Sequence, residues 1–159
     1  MIVVSDTTPL HYLILLDQIH LLPELLGNFV IPEIVSRELQ ADKTPVKIKA
    51  FMAEPPEWLE IVSDTGIIDE GLLEIDAGER EAILLAEQLG ADGILIDDKA
   101  GRIAAIERGI FVIGTLGVLE IAAIDGLIDF KKEISRIQRL GFYVTKDLEK
   151  FFLERLGLK

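Results

Sequence analysis

Short apolar runs alternate along this chain with longer amphipathic patterns. Apolar runs at residues 2–5, 29–31, 59–62, 93–97 and 110–113 predict five buried strands. Helical patterns lie between these runs, and two further helices are predicted near 130–140 and 145–156. Strands that alternate with helices are typical of an α/β domain with a mostly parallel sheet. We therefore expect one domain of this class.

Capping and turn residues set the predicted helix boundaries. Thr8 before Pro9 predicts a helix start with Thr8 as its N-cap, and Thr115 is expected to cap a later helix. Gly90 follows the clearest helix as a C′ glycine. The first predicted helix begins at Pro9, and another starts at Pro32 and carries Glu38. A further short helix is predicted within 41–58. The remaining predicted helices cover residues 17–26, 77–89, 99–108 and 115–124.

Composition narrows the class of protein. A length of 159 residues suits a single domain with one substantial core. Although 50% of the residues are hydrophobic, no apolar run approaches the roughly 20 residues of a membrane span. The N-terminus lacks the basic region and cleavage site of a signal peptide, so we expect a first strand there and a cytoplasmic location. The absence of cysteine excludes disulfides and thiolate metal sites.

The chain is strongly acidic, with a formal net charge of -12. Broad, non-specific binding to nucleic acid depends on Lys and Arg that neutralise phosphates, so this balance argues against it. The negative net charge is still compatible with a local basic rim, or with a phosphate that is bridged to the protein by a metal ion. An acidic surface also suits a basic protein partner.

Acidic residues stand at the ends of two predicted strands. Asp6 follows the first apolar run, and the pair Asp97-Asp98 ends the run that begins at Gly93. Ligands of parallel α/β sheets bind beyond the carboxyl ends of the strands, so these acids can share one crevice. Carboxylates that converge on one point repel each other and need a cation to hold them.

Two glutamates lie on the apolar faces of predicted helices. Glu38 shares a helical face with Ile34, and Glu79 shares one with Ile83, so both are expected to point inward. An inward carboxylate is costly unless it is paired or bound to a metal. The acids at the strand ends and these two glutamates together are therefore a candidate metal site.

Helix capping offers an alternative account of two of these acids. Asp98 stands directly before a predicted helix, where Asp is a favoured N-cap. Asp76 and Glu79 have the spacing of a capping box. Asp97 can replace or assist Asp98 as a ligand, and the sequence leaves that choice open.

An ordered set of motifs across nearly the whole chain resembles a PIN domain. The motifs are Val4-Ser5-Asp6-Thr7-Thr8-Pro9-Leu10, Ile31-Pro32 leading to Arg37-Glu38-Leu39, Asp76-Ala77-Gly78-Glu79-Arg80-Glu81-Ala82-Ile83 and Ile94-Leu95-Ile96-Asp97-Asp98-Lys99. Two later segments, Val112-Ile113-Gly114-Thr115-Leu116-Gly117 and Gly141-Phe142, resemble a VapC-like prokaryotic subgroup.

The resemblance implies a three-layer α/β/α sandwich with ribonuclease activity that depends on Mg²⁺ or Mn²⁺. Carried over by position, the catalytic and metal-binding quartet is Asp6, Glu38, Glu79 and Asp98. Thr8 is a supporting polar group near the quartet. This chain departs from the family pattern at Glu79, where Asp is frequent, and at Ile96, where Thr or Ser is frequent.

The residue types suit phosphodiester hydrolysis. Mg²⁺ prefers oxygen ligands and keeps several waters, which matches a site of carboxylates alone. Our hypothesis makes Asp6 and Asp98 the principal ligands, with Glu38 and Glu79 as further ligands or orienters of water; one metal or two remain alternatives. Basic residues close in sequence can line a rim for RNA phosphates, although a solvated surface charge is the simpler reading of each: Arg37, Arg80, Lys99 and Arg102.

Other functions compete with this one. Phosphotransfer domains of the haloacid-dehalogenase or receiver kind also use aspartates at strand ends, but the position two after Asp6 is Thr8 instead of an acid, and Asp97-Asp98 come late in the chain. A non-catalytic interaction module with the PIN fold is the second alternative. The VapC-like resemblance implies the toxin of a toxin–antitoxin pair, a homodimer inhibited by a small cognate antitoxin. The helices over 130–159 are expected to pack on the domain or to form an interface.

Overall fold

The computed structural model describes residues 1–159, with five strands and nine helices. The strands are β1 (Ile2–Ser5), β2 (Asn28–Pro32), β3 (Leu59–Val62), β4 (Gly93–Leu95) and β5 (Val112–Ile113). The helices are α1 (Thr7–Leu15), α2 (Leu21–Leu26), α3 (Glu33–Glu38), α4 (Val46–Ala53), α5 (Ala77–Leu89), α6 (Lys99–Glu107), α7 (Thr115–Ile124), α8 (Phe130–Arg139) and α9 (Lys146–Arg155).

All five strands run parallel in one sheet, in the order β3-β2-β1-β4-β5. The chain builds outward from β1 to β3 and then returns to place β4 on the other side of β1. The order of the strands therefore reverses between β1 and β4. In a parallel sheet this reversal opens a crevice at the carboxyl ends of the two strands, where ligands bind.

Side chains point alternately to the two faces of the sheet, and both faces are buried under helices. Val3, Phe29 and Leu95 belong to a cluster of 22 buried hydrophobic residues on one face. Val4 and Ile94 point the other way, into a cluster of 11 buried residues. Helices α1, α2, α3, α4, α7 and α8 contribute to the larger cluster, and α5 and α6 contribute to the smaller one. The expected three-layer α/β/α sandwich is confirmed.

The two C-terminal helices differ in how firmly they are held. Helix α8 contributes Phe130, Ile134 and Ile137 to the larger cluster. Helix α9 has no fully buried residue and touches that cluster through partly buried side chains such as Phe152. None of the nine helices combines the length and the apolar character that a membrane crossing requires.

Several predicted boundaries shift in the structure. The helix predicted from residue 17 begins at Leu21, because Asp17 adopts a left-handed φ of 58° and interrupts the chain after α1. Helix α1 begins at Thr7, so Thr8 is a helical residue and not the predicted N-cap. Helix α7 has Gly114 at its N-cap position, so Thr115 is its first helical residue. A 3₁₀ turn at Glu70–Leu72 has no counterpart in the predicted elements.

The fold predicts a sharp contrast between two phenylalanines. Phe29 of β2 is 0% exposed and its ring meets Trp58 edge-on, whereas Phe111 is 68% exposed. Phe29→Ala should lower the free energy of unfolding by about 3–5 kcal/mol, because it leaves a cavity in the larger cluster. Phe111→Ala, the matched control, should change it by no more than about 0.5 kcal/mol. Urea unfolding measures both, and equal losses would contradict the assigned core.

Candidate metal centre

Asp6 lies at the point where the strand order reverses. Its backbone N–H donates to the Leu95 carbonyl of β4 at 2.9 Å, and the residue is only 4% exposed. Asp6 holds the N-cap position of α1, yet its side chain makes no capping hydrogen bond. The carboxyl group is thus buried at the junction of two central strands without a capping role.

Glu79 lies close to Asp6, in the first turn of α5. The residue is 8% exposed, in agreement with the inward orientation expected from the sequence. The alternative of a capping box does not form, because the Asp76 side chain makes no capping hydrogen bond. Gly101 of α6 leaves space for the Glu79 carboxyl group, since a Cβ atom there would lie 3.3 Å from Glu79 Cδ.

Glu38 reaches the same region from the last turn of α3, but it is exposed, so the expected burial of Glu38 is wrong. The physical reason is that α3 is short and its buried stripe runs through Val35, which leaves Glu38 at the open edge. Thr7 Oγ1 donates to Glu38 Oε2 at 2.6 Å. A Cβ atom at Gly78 would lie 2.5 Å from Glu38 Oε1, so glycine at this position lets the carboxylate approach the start of α5 without having to move.

The two adjacent aspartates after β4 have different surroundings. Asp97 accepts hydrogen bonds from Thr115 N–H at 2.7 Å and from Thr115 Oγ1 at 2.6 Å, which tie it to the start of α7. Asp98 is exposed and caps α6, because its Oδ2 accepts the Ala100 N–H at 3.1 Å. Both oxygens of Asp97 therefore bind the start of α7, whereas Asp98 uses only one of its oxygens, in the cap of α6.

The charges of these acids act on one another. Burial raises the pKa of Asp6 from 3.8 to about 7, with further increases from Glu38, Asp76 and Asp97, and the Thr7 backbone N–H opposes the rise. Burial likewise raises the pKa of Glu79 from 4.5 to about 8, and Asp6 and Asp98 are the largest charge contributions. Burial also raises the pKa of Asp97, although the bonds from Thr115 and the charge of Arg102 counteract it.

The donor set fits a hard divalent cation in its chemistry. Asp6, Glu38, Glu79 and Asp98 supply carboxylate oxygens alone, and Gly78 and Gly101 lack the Cβ atoms that would crowd two of these carboxylates. As the side chains stand, no three of them lie in a metal-ligating arrangement. The site is therefore an acidic cluster with the chemistry of a cation site.

The basic residues expected at the rim have different commitments. Arg37 is paired with Asp64 at 3.0 Å, and Arg80 donates to the Ile75 carbonyl at 3.3 Å. Arg102 donates to the Ile96 carbonyl at 3.2 Å and lies beside Asp97. Lys99 is exposed at the start of α6 and forms no ion pair, and Thr8 is an exposed polar residue of α1.

Three contributors were missed in the sequence: Thr7, Asp76 and Thr115. Thr7 holds Glu38, Asp76 adds negative charge that raises the pKa of both Asp6 and Glu79, and Thr115 anchors Asp97. The signal for Thr7 was present, since it directly follows Asp6. The Asp97–Thr115 contact spans 18 positions and could not be read from local spacing.

The raised pKa values predict an unusual pH dependence in the absence of metal. The folded protein keeps protons on Asp6 and Glu79 up to pH 7–8, whereas the unfolded chain releases them near pH 4. The folded state therefore binds more protons in this window, and the free energy of unfolding should fall as the pH rises through it.

Urea unfolding with a chelator at pH 5 and pH 8.5 checks this expectation. Asp6→Asn removes one of the titrating groups, so the free energy of unfolding of the variant should fall less between the two pH values. At pH 8.5 the free energy of unfolding of the variant should be larger than that of the wild type. Equal pH dependence for the wild type and the variant would show that Asp6 titrates normally in the folded state.

Comparison with known proteins agrees with this architecture. A family model described as PIN domain matches residues 2–158, which is nearly the whole chain. No curated protein and no solved structure matches the chain. PIN domains are generally nucleases, and PIN nucleases usually use divalent metals. On the extent of this match and the sandwich fold that accompanies it, the chain belongs to the PIN-domain family.

Proposed function

We propose that this protein is an endoribonuclease that hydrolyses RNA phosphodiester bonds with the help of Mg²⁺ or Mn²⁺. The observation that supports the proposal most directly is the buried, uncapped carboxyl group of Asp6 beside Glu79, at the crevice between β1 and β4. Burial of the two charged carboxylates of Asp6 and Glu79 beside other acids costs free energy, and a bound cation offsets that cost.

Each acid has a separate role in the proposal. Asp6 and Asp98 hold the cation from the end of β1 and the start of α6, and Glu38 and Glu79 complete the ligand set or orient water. A bound divalent cation would neutralise charge on the phosphate and lower the pKa of water in the site. Asp6 and Glu79 must lose their protons to bind it, so metal affinity should increase with pH.

The surrounding residues suit a phosphate backbone held by few contacts. With a net charge of -12, the protein gains little from general attraction to RNA. Lys99 is exposed and free of ion pairs, and Arg102 lies at the adjoining edge of the site. We assign these two residues to backbone phosphates, with Thr8 as a further polar contact. The cation then supplies most of the local positive charge.

The VapC-like motifs around Gly114-Thr115-Leu116-Gly117 extend the proposal to a biological role. They support a toxin of a toxin–antitoxin pair that acts on cellular RNA in the cytoplasm. The strongly acidic surface suits a small basic antitoxin, and α9, which has no fully buried residue, is a candidate surface for the antitoxin or for a homodimer.

One observation favours a second candidate, a non-catalytic interaction module. No three acidic side chains lie in a metal-ligating arrangement as they stand. A module of this kind would keep the fold and bind a partner without cleaving RNA. Metal binding separates the two candidates, because the module has no need of a cation at the acidic cluster.

Asp6→Asn should abolish most of the cleavage of a mixed RNA substrate in Mn²⁺ or Mg²⁺. Changes in groups that merely support metal ligands cost up to about 100-fold in affinity or activity, so loss of a principal ligand should cost at least as much. The readout is the initial cleavage rate, with a chelator-treated sample as the zero.

The matched control is Asp92→Asn, at the opposite end of β4. Asp92 Oδ2 accepts the Ile2 N–H at 2.8 Å, a hydrogen bond that Asn can keep, so this variant should cleave like the wild type. Undiminished metal-dependent cleavage by Asp6→Asn would show that the ligand assignment is wrong. A wild-type protein that neither cleaves RNA nor gains thermal stability from Mn²⁺ would support the interaction module.

A further inference from the structure

A groove of about 610 Å³ borders the acidic cluster on the side of β5. Its walls are β5, the start of α7 and the segment from Phe142 to Arg155, and we call it the β5 groove. Its volume lies within the roughly 300–1,000 Å³ of sites that bind small ligands. The groove therefore has room for one group of the size of a nucleobase.

Aromatic side chains line this groove. Phe142 and Phe152 are fixed walls, because their rings pack against Tyr12 and Phe130 with centroids 5.0 Å and 5.8 Å apart. Phe111 and Tyr143 stand at the rim, 68% and 83% exposed. Exposed aromatic rings beside a concave site are the groups on which nucleic-acid bases stack.

A buried carboxylate lies in the same groove. Glu120 of α7 is 7% exposed, and its Oε2 accepts no hydrogen bond. Arg155 Nε approaches Oε2 at 2.9 Å, so the two groups are ion-paired by distance, but the geometry is not that of a hydrogen bond. Glu120 is thus compensated by a single contact with Arg155, and a ligand that donates two hydrogen bonds to the carboxylate would replace that contact.

A second buried glutamate shows what a satisfied pair looks like in this chain. Glu133 is 3% exposed, and Arg136 Nη1 donates to both of its oxygens at 2.7 Å and 2.8 Å. Arg155, in contrast, meets Glu120 only through Nε, 2.9 Å from Oε2 and without hydrogen-bond geometry, and its own side chain is 56% exposed. Arg155 also lies over the Phe151 ring, 5.1 Å from its centroid, so a ligand in the groove must displace Arg155 from both Glu120 and Phe151.

The β5 groove adjoins the acidic cluster through Asp97. Asp97 and Arg102 line the groove, and the charge of Asp97 also acts on Asp6. Asp98, the proposed metal ligand, is the next residue. A base seated in the groove would therefore belong to a nucleotide close to the proposed site of cleavage.

We propose that the β5 groove binds a guanine base of the RNA substrate, an inference that rests on the proposed ribonuclease function. The Watson–Crick edge of guanine presents two adjacent N–H donors, and a carboxylate can accept both. Adenine and cytosine place an acceptor beside their amino group, and uracil has one N–H between two carbonyls. Glu120 therefore selects guanine, Phe111 and Tyr143 stack on the base, and Arg155 moves to a neighbouring phosphate.

Binding of 5′-GMP and 5′-AMP, measured by calorimetry in the presence of a chelator, tests the proposal. The two nucleotides share a phosphate, so the ratio of their affinities reports on the base alone. We expect GMP to bind more tightly than AMP. Glu120→Gln should weaken GMP binding by about tenfold to hundredfold and bring the preference toward AMP, because Gln offers one donor and one acceptor.

Two matched variants separate recognition from general damage. Glu133→Gln makes the same change in the other buried Glu–Arg pair, outside the groove, and should leave the GMP-to-AMP ratio unchanged. Tyr143→Ala, at an 83% exposed position, should weaken both nucleotides equally. Should Glu120→Gln fail to fold, Arg155→Ala is the substitute, since freeing Glu120 from Arg155 should raise the ratio.

Equal binding of GMP and AMP, or a ratio unchanged by both Glu120→Gln and Arg155→Ala, would overturn the proposal. So would failure of both nucleotides to bind, and a change of oligomeric state in Phe111→Ala or Tyr143→Ala would then mark the groove as a protein interface. A protein that selects GMP but cleaves no RNA would keep this inference and reject the proposed function. A protein that cleaves RNA but does not select GMP would keep the proposed function and reject this inference.

Discussion

Burial of two carboxyl groups beside other acids, at the junction of β1 and β4, is the constraint on which the candidate site depends. Asp6 and Glu79 are nearly inaccessible to water, and burial with neighbouring acids raises their pKa values to about 7 and about 8. Such groups are tolerated only when they are protonated or bound to a cation. The two hydrophobic clusters, one on each face of the sheet, stabilise the fold against this cost.

The topology explains why the acids meet. Asp6 and Asp98 follow neighbouring strands that are far apart in sequence, and the reversal of strand order leaves a crevice between them. Helices α3 and α5 then bring Glu38 and Glu79 to the same edge, where Gly78 and Gly101 leave room for their carboxyl groups. On the other side of β4, Asp97 joins the cluster to the start of α7 and to the β5 groove. The site is thus assembled from every layer of the sandwich.

The sequence predicted the fold well because each element carried a local signal. The apolar run of β1 and the capped pattern of α5 ended at the residues expected, since side-chain periodicity and Gly90 determine them. Burial of Glu38 was predicted wrongly, because helical spacing does not reveal that α3 stops at the open edge of the crevice. The tie between Asp97 and Thr115 was also beyond the sequence, because it joins segments that only the tertiary fold brings together. Local sequence patterns show which helix or strand carries each acid. Contacts between distant segments determine which carboxylate oxygens lack a hydrogen-bond partner within the protein.

The central claim is that one divalent cation site unites these acids. Anomalous diffraction from a crystal soaked in Mn²⁺ above pH 8, where Asp6 and Glu79 give up their protons, tests it most directly. We expect a manganese peak coordinated by Asp6 together with Asp98, Glu38 or Glu79. No peak at this crevice in saturating Mn²⁺, or manganese bound only at other carboxylates, would contradict the account.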